Sequence, residues 1–224
     1  MPEALHEKAL LFYQNYLFVG GMPRCVADFI DKGKRIPDFD RNIQDNILLA
    51  YAARPHANKR DFYQPLDWLK TALLIHKVNR VELPQSPLKV YGDEGIFKIY
   101  MSDVGLLCCL VGIPYKDIRI EADNIYKGML TENYCIQELA SKGIQAYYYK
   151  PDASMEIDVL LDRDGEIIPM ETKSGRHVRS TSLKNYCEKF HPAEKIRLSC
   201  RNFSESNDGV RCVPLYALFA FLGE

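Results

Sequence analysis

Residues 156–175, EIDVLLDRDGEIIPMETKSG, constrain this chain more than any other stretch. Two runs rich in Ile, Val and Leu flank Asp164-Gly165. That dipeptide suits a two-residue hairpin turn, because both of its residues accept positive φ. Such a turn pairs Arg163 with Glu166. Continued in step, it sets Asp158 opposite Glu171 and Glu156 opposite Lys173. Side chains alternate along a strand, so these four charged residues are expected on one face. Ile157, Val159, Leu161, Ile168 and Met170 are expected on the other face, which is core. A slip of one residue would change the partners.

Carboxylates set directly opposite each other repel unless a cation sits between them. Mg²⁺ is the natural cation, since it takes oxygen ligands from one or two carboxylates plus water and phosphate oxygens. Lys173 beside such an ion could orient or deprotonate a water, or stabilise charge on a phosphate in flight. The competing explanation is simpler. Exposed strands often carry Glu and Lys as cross-strand pairs that serve solubility, and E-x-K is a common tripeptide.

Around the hairpin the chain reads as a mixture of helices and strands. Helices are expected over 3–18, 24–32, 40–52 with Asp40 as N-cap, and 62–75. Gly20-Gly21-Met22-Pro23 stops the first of these. A strand is expected over 76–83, then loop and short strand to 97. FKIYMSDVGLLCCLVG (97–112) reads as a very apolar core helix. Further along, a helix over 125–143 precedes strands at 144–150, 156–162 and 166–173. A helix over 180–190, a strand over 195–200, and a short strand plus helix over 210–222 complete the chain. The order from 125 to 200 is α-β-β-β-α-β.

Composition narrows the function classes. The 224 residues carry a net charge of −1, so no global field favours nucleic acid. No run approaches the ~20 apolar residues of a membrane helix, and the N-terminus lacks a signal-peptide layout. The seven cysteines include no C-x-x-C and mostly lie in apolar runs. They point to buried thiols in a reducing cytoplasm, with a catalytic cysteine as the weaker alternative. The five histidines show no metal-ligand spacing.

Asp158 followed by Glu171-Thr172-Lys173, in that α-β-β-β-α-β order, resembles the PD-(D/E)xK restriction-endonuclease-like superfamily. The resemblance implies that Asp158 and Glu171 hold the metal and that Lys173 acts on water. Glu132, in TENY, matches the acid that many members supply from their first helix. No Pro-Asp precedes the hairpin; the Asp comes in EID.

A broader resemblance rests on YLFVGGMP, PLDWLKTALLIHKV, FKIYMSDVGLL, LTENYCIQEL, YYYKPDASMEIDVLL, IPMETKSG and VPLYA. Together these look like the C-terminal half of predicted prokaryotic AAA-type ATPases, whose tail is a domain of unknown function with a nuclease-like fold. It implies a helical, winged-helix-like region over 1–115 and a nuclease-like domain over 116–224. Relatives carry extra winged-helix residues where this chain runs from Ala50 to Asp61. A fragment, a split gene or a decayed copy would each give that pattern. No G-x-x-x-x-G-K-[ST] occurs, so no ATP site is expected.

The implied partners are DNA and an ATPase module or other protein, with no membrane. From Lys173 to Arg201 there are eight Lys or Arg and two acids. Arg176, Arg179 and Lys184 are the candidates for a phosphate backbone. The same run also reads as a solvated helix face. Tyr147, Tyr148 and Tyr149 offer stacking surfaces, although alternation makes at least one of them core. The functional expectation is Mg²⁺-dependent phosphodiester hydrolysis. The alternative is a non-catalytic DNA- or protein-interaction module with a vestigial nuclease site.

Overall fold

The computed structural model describes residues 1–52, 63–120, 125–152, 154–175 and 181–221. Its architecture is mixed α/β, organised on an eight-stranded sheet.

Helix α1 (Glu3–Val19) buries Leu10, Tyr13 and Leu17 at helical spacing and ends at Gly20, whose φ of 80° suits glycine. Helices α2 (Pro23–Asp31), α3 (Asn42–Ala52) and α4 (Tyr63–Thr71) follow. Asp40, expected as the N-cap, sits one residue before the cap position that Arg41 takes, and its carboxylate accepts the Asn42 N–H at 3.0 Å. Strands β1 (Ile75–Val81) and β2 (Gly92–Met101) form an antiparallel pair.

The expected helix over 97–112 is therefore corrected. Phe97–Met101 belongs to β2, and α5 spans only Val104–Val111. The physical reason lies between the two elements. Asp103 is extended and accepts the Leu106 N–H at 2.8 Å, so the helix starts there and nowhere earlier.

A short α6 (Tyr115–Arg119) leads to α7 (Ile125–Ser141). Then come β3 (Tyr147–Asp152), β4 (Met155–Arg163), β5 (Glu166–Thr172), α8 (Thr181–Phe190) and β6 (Ile196–Ser199). This is the α-β-β-β-α-β order read from the sequence. Strands β7 (Ser204–Glu205) and β8 (Arg211–Pro214) and helix α9 (Leu218–Phe221) close the chain. The strand order across the sheet is β2-β1-β3-β4-β5-β6-β8-β7. Parallel pairing of β1 with β3 carries the sheet without a break from the early hairpin into the later strands.

Helix α7 packs against β1, β2 and β5, while α8 lies on β4 and β5. Two cores result. One gathers Tyr148, Val159, Leu161, Ile168 and Met170 with Leu130, Tyr134 and Leu139 of α7 and Tyr13 of α1. The other gathers Tyr147, Tyr149, Ile157 and Leu160 with Leu183 and Tyr186 of α8. Tyr147, Tyr148 and Tyr149 are thus all buried, because both sheet faces are covered there. Base stacking on them is excluded as a role for this surface. Among the described residues, no helix is long and apolar enough to cross a membrane, and all seven cysteines are free thiols.

One knot ties the first helices to α5. Asp103 also accepts the Gly21 N–H at 2.6 Å. The buried Gln44 amide donates to the carbonyls of Phe18, Val19 and Gly105. Gly105 sits so close that a Cβ there would lie 2.3 Å from the Gly20 nitrogen. Glycine to alanine inside a helix ordinarily stabilises by about 1 kcal/mol. Here the clash with backbone reverses the sign. Gly105→Ala is expected to destabilise the fold by about 1–3 kcal/mol or more in urea unfolding; an unchanged or raised midpoint would contradict this packing.

Candidate functional site

The hairpin turns as its sequence dictates. Asp164 (φ 53°) and Gly165 (φ 89°) both take the left-handed conformation. Arg163 pairs with Glu166, and the ladder runs in step through Asp162–Ile167, Leu161–Ile168 and Leu160–Pro169 to Val159–Met170. Antiparallel pairing of β4 with β5 extends no further.

The reason is an irregularity on the other side of β4. Tyr147 is opposite Leu160 and Tyr149 opposite Ile157, so β4 uses one residue more than β3 over the same span. That is a bulge at Asp158–Val159. It moves Ile157 into the α8-side core with Leu160, whereas Val159 and Leu161 stay in the α7-side core. The expectation that Ile157 shares a face with Val159 and Leu161 is thereby corrected.

The bulge also changes what the acids meet. Asp158 Oδ2 accepts both the Thr172 N–H and the Thr172 hydroxyl, each at 2.9 Å. The residue reaches solvent in part, but its carboxyl is enclosed, and burial raises its pKa to about 6. The Glu132 charge adds to that rise, while the Thr172 hydrogen bonds and Lys98 oppose it.

Glu132, on α7, lies near enough to Asp158 for its charge to act there, but not with Glu171 and Lys173. Its Oε1 accepts from the Lys98 ammonium at 2.8 Å and from the Tyr100 hydroxyl. The same ammonium lies 2.8 Å from Glu156 Oε1, and Lys150 holds Glu156 Oε2 at 2.5 Å. Burial works against the charge on Lys98, yet Glu132 and Glu156 outweigh it and raise its pKa. Burial likewise opposes ionisation of Glu156, but Lys150 and Lys98 hold its carboxyl below the usual range. Burial raises the Tyr100 hydroxyl far up, helped by Glu132, so it stays a donor. Lys98 also lies 5.0 Å over the Tyr148 ring. Glu156 therefore meets Lys98 and Lys150 instead of Lys173.

Glu171 and Lys173 pair with each other, Oε1 to Nζ at 2.8 Å. Glu171 is only 4% exposed, and its Oε2 has no hydrogen-bond partner among the described residues. In the parallel register with β6, Glu171 lies beside Arg197. The Lys173 N–H continues that pairing by donating to Leu198 O at 2.8 Å.

The structure thus brings Glu132, Glu156 and Asp158 around Lys98, and it joins Glu171 to Lys173 separately. Among the described residues, the one group of three acids or histidines with ligand atoms within 4.8 Å of one another is Glu3, His6 and Glu7, away from these acids in sequence. Both His6 nitrogens are already engaged, with the Tyr216 hydroxyl at 2.8 Å and Cys200 O at 3.1 Å. Lys184 is exposed on α8, 3.7 Å from Glu188. Arg176 and Arg179 lie outside the described residues.

Lys98 and Tyr100 are the participants that sequence reasoning missed. The signal was present in FKIYM, where Lys98 and Tyr100 alternate with Phe97, Ile99 and Met101. That period of two marks a strand.

The raised Asp158 pKa has a definite sign. Between its unfolded value near 4 and the folded value of about 6, the native state binds more protons than the unfolded chain. Its contribution is greatest in acid and is lost as pH rises through that window. Asp158→Asn keeps an acceptor for Thr172 and removes the titration. The drop in stability from pH 4 to 7, followed by urea unfolding, is expected to shrink by up to about 3 kcal/mol in the variant; parallel pH profiles would contradict the enclosed carboxyl.

Comparison with known proteins covers part of this region. A family model described as "Domain of unknown function (DUF4143)" matches residues 127–218. A second, "Domain of unknown function (DUF8612)", matches residues 48–117. No curated protein and no solved structure matches the chain. The acids at 132, 156, 158 and 171 all fall in the stretch similar to the first domain, and Lys98 and Tyr100 fall in the stretch similar to the second.

Proposed function

We propose that this chain is a non-catalytic interaction module on a restriction-endonuclease-like frame, with its acidic cluster neutralised by lysine in place of a divalent ion. One observation carries the reading: the Lys98 ammonium lies 2.8 Å from both Glu132 and Glu156. An ammonium between two carboxylates relieves the repulsion that otherwise calls for a metal.

The frame itself is argued from the order α7-β3-β4-β5-α8-β6, with Asp158 on the middle strand of three and Glu171-Thr172-Lys173 on the next. The helices before β1–β2 and the hairpin they form are consistent with a winged-helix-like part. The resemblance to the C-terminal half of AAA-type ATPases makes an ATPase module, on this or another chain, a natural partner, and DNA the second.

A Mg²⁺ ion shared by Asp158 and Glu171 fits these residues poorly. Asp158 directs an oxygen to Thr172, and the carboxylate that acts on it is Glu132. Glu171 gives one oxygen to Lys173. A second reading, Mg²⁺-dependent cleavage of DNA, is favoured by the buried Glu171 Oε2 that has no partner among the described residues. In that reading Asp158 and Glu171 would hold the ion and Lys173 would act on water.

Incubation of the chain with DNA and Mg²⁺ or Mn²⁺, beside Asp158→Ala and Lys173→Ala, separates the two. The module is expected to show no metal-dependent cleavage, and any DNA binding is expected to survive both substitutions. Cleavage by the unaltered chain that vanishes in both variants would overturn the module and establish the nuclease.

A further inference from the structure

Arg197, on β6, is 9% exposed. Its Nε is buried without a hydrogen-bond partner among the described residues. An arginine does not lose its proton in a protein. A buried charge costs several kcal/mol unless it is paired, and Asp208 acts on this one through space, with no hydrogen bond between them among the described residues. Its neighbour in register, Glu171, turns its Oε1 to Lys173 instead.

Arg197 lines a cavity of about 280 Å³ between α8 and the strands β6 and β8. Lys184, His191 and Lys195 line it too, and so do the acids Glu188 and Asp208. Glu188 faces Lys184 at 3.7 Å. Asp208 accepts the Ser206 hydroxyl, which, with burial opposing and the Arg197 charge helping, holds its carboxyl below the usual range. Among the described residues, Lys195 and Arg197 have no hydrogen-bonded anion, and Asp208 reaches Arg197 only through space. Their field is felt at Cys187 in the same wall. Burial raises that thiol, Lys195 pulls it down, Asp208 raises it, and Arg197 pulls it down again.

We propose that this cavity binds a phosphate group, with Arg197 and Lys195 as its donors and Lys184 at the rim. A guanidinium matches the oxygens of a phosphate in a way a lysine alone does not. The volume lies at the lower end of small-molecule sites, which suits a single phosphate better than a whole nucleotide. Two sources share this chemistry: the backbone of a nucleic acid, and a free phosphate. The site does not depend on whether the chain cleaves DNA, because neither Asp158 nor Lys173 lines it.

The test is thermal unfolding of the full chain in inorganic phosphate against chloride at matched ionic strength, with a short DNA duplex as a separate arm. Phosphate is expected to raise the midpoint saturably above the chloride control. Arg197→Gln and Lys195→Gln are each expected to weaken that response by about tenfold or more, whereas Lys32→Gln on α2 is expected to leave it intact. Lys195 is partly exposed, so its variant stays informative if Arg197→Gln does not fold. Duplex binding weakened by the same substitutions assigns the site to a nucleic-acid backbone. A response to phosphate alone assigns it to a free phosphate. No midpoint shift beyond chloride, or an equal shift in Lys195→Gln, would overturn the proposal.

Discussion

The ammonium of Lys98 stands between two carboxylates that come from different parts of the chain. Glu132 belongs to the helix that covers one sheet face, Glu156 to the central hairpin, and Lys98 to the edge strand β2. All three side chains are roughly a quarter to a third exposed, so the pairs themselves contribute modestly. Removing the cation is a different matter. It would leave Glu132, Glu156 and the enclosed Asp158 facing one another, and breaking a largely buried pair costs more than the pair contributes. Lys98 and Lys150 thus offset most of the negative charge of the cluster, and the early hairpin is electrostatically tied to the later strands through this contact. The continuous β1–β3 pairing makes the same connection through the backbone.

Much of the frame was legible in the sequence because local chemistry decided it. Asp164-Gly165 demanded a tight turn, and the register from Arg163–Glu166 to Val159–Met170 followed from it. The helix that ends before Gly20-Gly21 and the α-β-β-β-α-β order were equally local signals. Where tertiary structure decided, the reading failed. The bulge at Asp158–Val159 arises from pairing with β3, about which the hairpin sequence is silent. Tyr147, Tyr148 and Tyr149 do alternate between the two sheet faces, and all three are buried because helices cover both, which alternation alone does not reveal.

The acidic site was legible in part. The residues Glu132, Asp158, Glu171 and Lys173 were identifiable as a set, but their grouping was not. Merging β2 with α5 into one apolar helix hid Lys98 and Tyr100, and with them the cation that answers the acids. The carboxyl of Asp158 is held by Thr172, the very residue inside the E-x-K tripeptide that a motif treats as a spacer. Likewise, Arg197 looked like one member of a basic run. Its significance comes from burial beside a cavity, a property that no spacing records.

The central claim is that a lysine, and not a bound dication, balances this cluster. Thermal unfolding of the unaltered chain across a Mg²⁺ or Mn²⁺ titration tests it most directly, since any ion bound to the native state must raise the midpoint. With Lys98 in place, the midpoint is expected to stay flat, while Lys98→Met melts lower. A saturable rise in the unaltered chain that disappears in Asp158→Ala would contradict the claim.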